Sequence, residues 1–143
     1  MNLLAEIRSL FAPALAAIVS DPAKLQHYLA MIRPAQDPKN GDYQANFAMP
    51  LAKQLGKKPQ ELAAEIVTAV SRNMVIESTA VAGPGFINIK LRDDWLAKQV
   101  QALGTDERLG VKPVTTPRRF VIDYSGPNVA KPLHVGHLRS TII

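Results

Sequence analysis

Apolar residues recur at three- and four-residue intervals over residues 2–19, at Leu3, Leu4, Ile7, Leu10, Phe11, Leu15 and Ile18. That rhythm predicts an amphipathic helix with Pro13 as its one defect. Ser20-Asp21-Pro22 follows with capping oxygens and a proline suited to a first helical position, which predicts a short second helix over 22–28. Residues 28–33 read as a strand, and 34–46 as loop around the turn signal Asn40-Gly41-Asp42. A short helix is expected over 49–55, ending at Gly56. A longer one over 59–73 starts with Pro59 and sets Leu62, Ile66, Val70 and Met74 four apart on one face.

The period then changes. Residues 75–82, the turn Gly83-Pro84-Gly85 and residues 86–91 predict a hairpin. In its second strand Phe86, Asn88 and Lys90 fall on one side and Ile87, Ile89 and Leu91 on the other. Asp93 is placed to cap a helix over 94–103, with Trp95 anchoring it to the sheet. Residues 104–117 are rich in turn formers, which sets a domain boundary at 112–117. The first domain, 1–112, is therefore expected to be α+β, helices against a small, mostly antiparallel sheet. After a linker at 113–118, residues 119–143 predict a strand (RRFVIDY, 118–124), a turn (SGPN) and a helix opened by Pro132.

Composition narrows the class. Across 143 residues, 47% are hydrophobic and 20% charged, a globular balance. The sequence has no cysteine, which excludes disulfides, thiolate metal sites and cysteine nucleophiles and fits a reducing compartment. No apolar run reaches 18 residues, so no membrane span is expected. Glu6 and Arg8 make the start an amphipathic helix rather than a signal peptide. The net charge is +5, and its distribution matters more: residues 1–112 carry 13 basic and 11 acidic side chains, residues 113–143 carry 4 and 1. The excess gathers around the last strand–turn–helix and permits a polyanionic partner.

That terminal stretch concentrates the chemistry. His134 and His137 are three apart and share a helix face, Gly136 between them admits close approach, and Lys131 lies just before. A strand, a tight turn and a helix start bearing these cations make an anion site suited to a transferring or leaving phosphate. Two histidines satisfying a core network is the plainer alternative. Zinc, with Asp123 as a third ligand, is short of donors. Neither GxGxxG nor GxxxxGKS occurs. Upstream, Tyr43, Gln44, Asn46 and Phe47 put rings and amides together after a turn, able to stack on or bond unpaired bases, or simply to satisfy their own backbone. The face with Phe86, Asn88 and Lys90 has the same double reading. His27, with no ligand-like neighbours, reads as a plain packed or surface histidine.

The run DYSGPNVAKPLHVGHLRSTII resembles the opening of the catalytic domain of arginyl-tRNA synthetase, with HVGH similar to the HIGH signature of class I aminoacyl-tRNA synthetases. GDYQAN at 41–46 and GPGFIN at 83–88 resemble landmarks of the same family's N-terminal additional domain, which contacts the tRNA D-loop. Three matches in order span nearly the whole chain. The resemblance implies that 119–143 begin a Rossmann-like α/β catalytic domain, incomplete here, in a monomeric cytoplasmic enzyme acting on arginine, ATP with its Mg2+, and tRNA.

By the same resemblance, Lys131, Gly136, His134 and His137 would bind ATP, the two histidines stabilising the adenylation transition state. Lys131 would cover part of the work done elsewhere by the lysine of a later KMSKS loop. Asp123, Ser125, Asn128 and His134 would hold arginine, a carboxylate suiting its guanidinium. Gln44, Asn46, Phe86 and Asn88 would meet an unpaired D-loop base. Gly126 departs from the Ser or Ala common in the family's turn. Another class I synthetase and a noncatalytic RNA-binding module are the competing functions. One βα unit is too little for a doubly wound sheet, so the 143 residues alone are expected not to charge tRNA, and Leu138, Ile142 and Ile143 to lie exposed.

Overall fold

The computed structural model describes residues 2–71, 73–122, 132 and 134–142. They fall into two compact units, Met1–Lys112 and Pro113–Ile143.

The first unit opens with α1, Leu3–Ala16, capped by the Asn2 side chain, whose Oδ1 accepts the Ala5 N–H at 3.1 Å. Its inward stripe, Ile7, Phe11 and Leu15, is fully buried. Arg8 fastens the helix to residues 30–32: Nη2 donates to the carbonyls of Ala30 (3.3 Å) and Ile32 (3.1 Å). Helix α2, Pro22–Ala30, starts as its cap chemistry predicts, with Asp21 Oδ1 accepting from Ala23 at 2.8 Å and Lys24 at 3.4 Å. It runs two residues further than its sequence signals, taking Tyr28 and Leu29 into the core. The strand expected at 28–33 is therefore β1, Ile32–Pro34.

The stretch read as loop also contains structure. A 3-10 turn, Pro38–Asn40, leads into β2, Tyr43–Ala45. Three residues are too few to show an alternation, which is why the pattern hid a strand that lies inside the sheet. Helix α3, Ala48–Leu55, ends at Gly56 in the left-handed region (φ 66°), and α4, Pro59–Val70, buries Leu62, Ala63, Ile66 and Val70. Strands β3, Ile76–Ala82, and β4, Phe86–Leu91, form the expected hairpin. Helix α5 spans Asp93–Thr105. Arg92, not Asp93, is its N-cap, and no side chain caps it. Asp93 and Asp94 lie in the first turn, where their charge suits the helix dipole. Gly104 belongs to this helix, so the turn-rich segment begins later than its composition suggested.

The sheet order is β1-β2-β4-β3, every neighbour antiparallel. One face packs Ile32, Ala45, Ile87, Ile89 and Leu91 into a single cluster with α1, α3 and α4. Phe47 belongs to it, fully buried, its ring edge-on to Phe11 with centroids 6.0 Å apart. It is thus a core residue and no part of an exposed aromatic–amide group. Trp95 is half-buried against the same cluster.

In the second unit, residues 113–122 carry no strand. The strand expected over 118–124 is absent from its described part, and 123–124 lie outside the described residues. Phe120, Val121 and Ile122 are exposed, with the Arg118 guanidinium 5.2 Å from the Phe120 ring centroid. Helix α6 spans Val135–Ile142, three residues later than a start at Pro132. Ile142 is exposed, whereas the side chain of Leu138 and all of Ile143 lie outside the description.

Candidate functional site

Strand parity decides which residues reach the sheet face away from the core. Opposed residues of an antiparallel pair point the same way. The register Arg33↔Gln44↔Asn88↔Ala80 is thus one row across all four strands. Gln44 Nε2 donates to Asn88 Oδ1 at 2.8 Å in the middle of it. That bond leaves the Gln44 side-chain oxygen as an acceptor and the Asn88 amide N–H groups as donors, with no other side-chain partner among the described residues.

The flanking rows carry the rest. Asn46 is exposed one step beyond β2, where the register brings it opposite half-buried Phe86. Gln44, Asn46, Phe86 and Asn88 thus come to one face, and Lys90 joins them at the other end. Tyr43 does not: opposite Ile89, it points to the core side. Burial, helped by the neighbouring Asp42 carboxylate, raises its phenol above the ordinary value.

Asp42 organises the far end of this face. Its carboxylate accepts the Leu91 main-chain N–H at 2.8 Å and faces Lys90 Nζ at 3.3 Å, while its own N–H donates to Ile89 O at 2.8 Å. The loop can lie this close only because residue 41 is glycine. A Cβ there would sit 2.6 Å from the Ile89 carbonyl oxygen, and its φ is +86°. Two depressions flank the amide pair. One, of about 360 Å³, is lined by Met31, Arg33, Asn46 and Pro50. The other, of about 270 Å³, is lined by residues including Lys39, Ser78, Ala80, Asn88 and Lys90. A larger depression between α1 and α5, lined in part by Glu6, Gln99 and Asp106, contains none of these groups.

Arg33, Lys39 and Asp42 escaped the sequence reading. The pattern ends a strand on Arg33 and shows no partner strand, so its row could not be drawn. The available signal was Asp42, a carboxylate placed directly after a turn glycine.

In the second unit, His134 and His137 stack, ring centroids 3.9 Å apart and planes 34° from parallel. Main-chain groups orient both rings. Gly136 N donates to His134 Nδ1 at 3.1 Å, and His134 N to His137 Nδ1 at 3.3 Å. With each Nδ1 accepting, the proton of a neutral imidazole belongs on Nε2. Gly136 makes room for this: a Cβ there would come within 3.0 Å of His134 Cε1. An N–H on each Nε2 at the start of a helix can stabilise charge developing on an anion. Asp123, Ser125, Asn128 and Lys131 lie outside the described residues. His27 rests edge-on against Tyr28 at 5.7 Å. Among the described residues no group of three metal-ligating side chains occurs, and no helix is long and apolar enough to cross a membrane.

Two family patterns match in succession: the arginyl tRNA synthetase N terminal domain over residues 5–91, and the catalytic domain of tRNA synthetases class I (R) over 99–143. Over the whole chain, an arginine–tRNA ligase of Rhodopirellula baltica is 48% identical and one of Synechocystis sp. is 46% identical. The chain spans 21% and 24% of their respective lengths. Among solved structures, the arginyl-tRNA synthetase of Plasmodium falciparum superposes with a TM-score of 0.73 at 25% identity over 98% of this chain and 26% of that one. The Thermus thermophilus enzyme gives 0.55 at 27% identity over 97% and 21%.

Proposed function

The chain belongs to the arginyl-tRNA synthetase family, comprising its N-terminal domain and the start of its catalytic domain, and on that premise we propose that the whole protein joins arginine to tRNA at the expense of ATP. The chain spans about a fifth to a quarter of the length of its curated relatives, so this activity is assigned to the whole protein.

The reaction has two steps. The arginine carboxylate attacks the α-phosphate of ATP, giving arginyl-adenylate and releasing pyrophosphate. A hydroxyl of the 3′-terminal adenosine of the tRNA then attacks the arginyl carbonyl and AMP leaves. Negative charge builds on the phosphates in the first step, and Nε2–H donors on His134 and His137 meet that demand by position and electrostatics. The observation that carries this reading is the main-chain orientation of both rings through Nδ1. Lys131 is assigned a further cationic role toward ATP, which brings Mg2+ with it. Toward arginine, Asp123 is assigned as the carboxylate for the guanidinium, and Ser125, Asn128 and His134 as further contacts. The site works in the cytoplasm.

The first unit binds the tRNA. Gln44 and Asn88 read the edge of an unpaired D-loop base, Asn46 adds a further amide, and Phe86 offers a ring for stacking. Full-length protein supplied with arginine, Mg2+, ATP and cognate tRNA should form arginyl-tRNA. Failure to charge in that assay sinks the proposal.

A further inference from the structure

The outward sheet face is wider than one base. Its central row crosses three strand spacings of about 4.8 Å, roughly 14 Å in all. The two depressions lie at diagonally opposite corners, one against β1 and β2 beyond Gln44, the other against β4 and β3 beyond Asn88. Each contains an exposed cation, Arg33 in the first and Lys39 in the second. Neither forms an ion pair or a side-chain hydrogen bond among the described residues. Lys90, by contrast, is held by Asp42. The nearest acidic group to Lys39 in sequence, Asp37, uses its carboxylate to accept the Lys39 main-chain N–H at 2.9 Å.

We propose that this face takes a short run of single-stranded RNA laid diagonally across the sheet, with one phosphate at Arg33 and another at Lys39 on either side of the base at the Gln44–Asn88 pair. This rests on reading the face as the RNA-binding one and extends it from one nucleotide to its neighbours. Two unpaired cations separated by an uncharged amide pair fit alternating phosphate and base better than a single charged ligand. Met31 and Pro50 offer apolar walls in the first depression for the flanking sugar. The second is lined by Ser78 and Ala80, side chains small enough to let a backbone pass.

Phosphate pairing has a signature that base reading lacks. Each phosphate neutralised on a single strand contributes about 0.7 to the slope of log affinity against log salt. The experiment is anisotropy titration of a labelled arginine-tRNA transcript with the chain, from about 50 to about 200 mM salt. Arg33→Gln and Lys39→Gln should each flatten the slope by about 0.7, and the double variant by about 1.4. Asn88→Ala should weaken binding with the slope unchanged, and Lys24→Gln, on the exposed side of α2, should alter neither. Unchanged slopes in Arg33→Gln and Lys39→Gln, with Asn88→Ala still weakened, overturn the phosphate path and leave base reading intact. Flattened slopes with Asn88→Ala indistinguishable from the parent support the path and remove the base contact. A parent chain that does not bind the transcript at any salt overturns both.

Discussion

Gln44 and Asn88 face one another across β2 and β4 and share a hydrogen bond of 2.8 Å from Gln44 Nε2 to Asn88 Oδ1. The direction of that bond fixes what the pair offers a ligand: a carbonyl from one residue and N–H groups from the other.

Asn88→Asp separates the two roles. A carboxylate at 88 still accepts from Gln44, so folding should be unchanged to within about 0.5 kcal/mol. It loses the outward donor and sets negative charge against RNA. Affinity for tRNA should fall by at least roughly tenfold, the cost of one hydrogen bond plus repulsion. Parallel melting and tRNA titration check both halves.

Gly41 and Gly56 both have positive φ, yet their substitution by alanine should differ. At Gly56 nothing lies within 4 Å of a new Cβ, so only the left-handed conformation costs, about 1–2 kcal/mol. At Gly41 the Cβ would meet the Ile89 carbonyl oxygen at 2.6 Å, so the loop must lift from β4. Gly41→Ala should therefore lower the melting temperature further than Gly56→Ala, and it should weaken tRNA binding because Lys39 and Asp42 move with the loop.

Gly136→Ala should improve the helix and impair the chemistry. Alanine gains about 1 kcal/mol of helix propensity. Its methyl, 3.0 Å from His134 Cε1, turns that ring away from its partner. In the full-length enzyme with tRNA present, arginine-dependent exchange of pyrophosphate into ATP should drop by about 10²-fold, the scale of one misplaced donor. Unaltered exchange would show that the ring arrangement is not used.

Tyr43 gives the fold an alkaline dependence. Burial raises its pKa above the unfolded value of 10.0, so the folded state holds the proton more tightly. Its stabilising contribution is fully present below pH 10 and is lost as pH rises through the folded value. Between about pH 9 and about pH 11 the parent should lose more stability than Tyr43→Phe, a difference that matched thermal melts can read.

The sequence disclosed elements in proportion to their length. Helices α1 and α4 announce themselves by period, α2 by Asp21-Pro22, and the β3–β4 hairpin by its glycine turn and the alternation after it. Strands β1 and β2, three residues each, are too short to alternate visibly, and the burial of Phe47 depends on Phe11, a contact made only in three dimensions. The parity of Phe86, Asn88 and Lys90 was readable, whereas their row with Gln44 and Arg33 needed the strand register. The HVGH spacing was equally plain, but the folding of one ring onto the other, with Gly136 leaving room for it, is a matter of local backbone geometry.

The sheet order also constrains synthesis. Gln44 meets Asn88 and Asp42 meets Leu91, partners separated by 44 and 49 positions. A chain growing from its N-terminus therefore has neither pair until β4 has emerged, when the central strands can close at once. Until then its two exposed cations have no reading pair between them. On the proposed RNA-binding role of this face, base reading can begin only after Leu91 has emerged, so binding would report that the four-stranded sheet has closed.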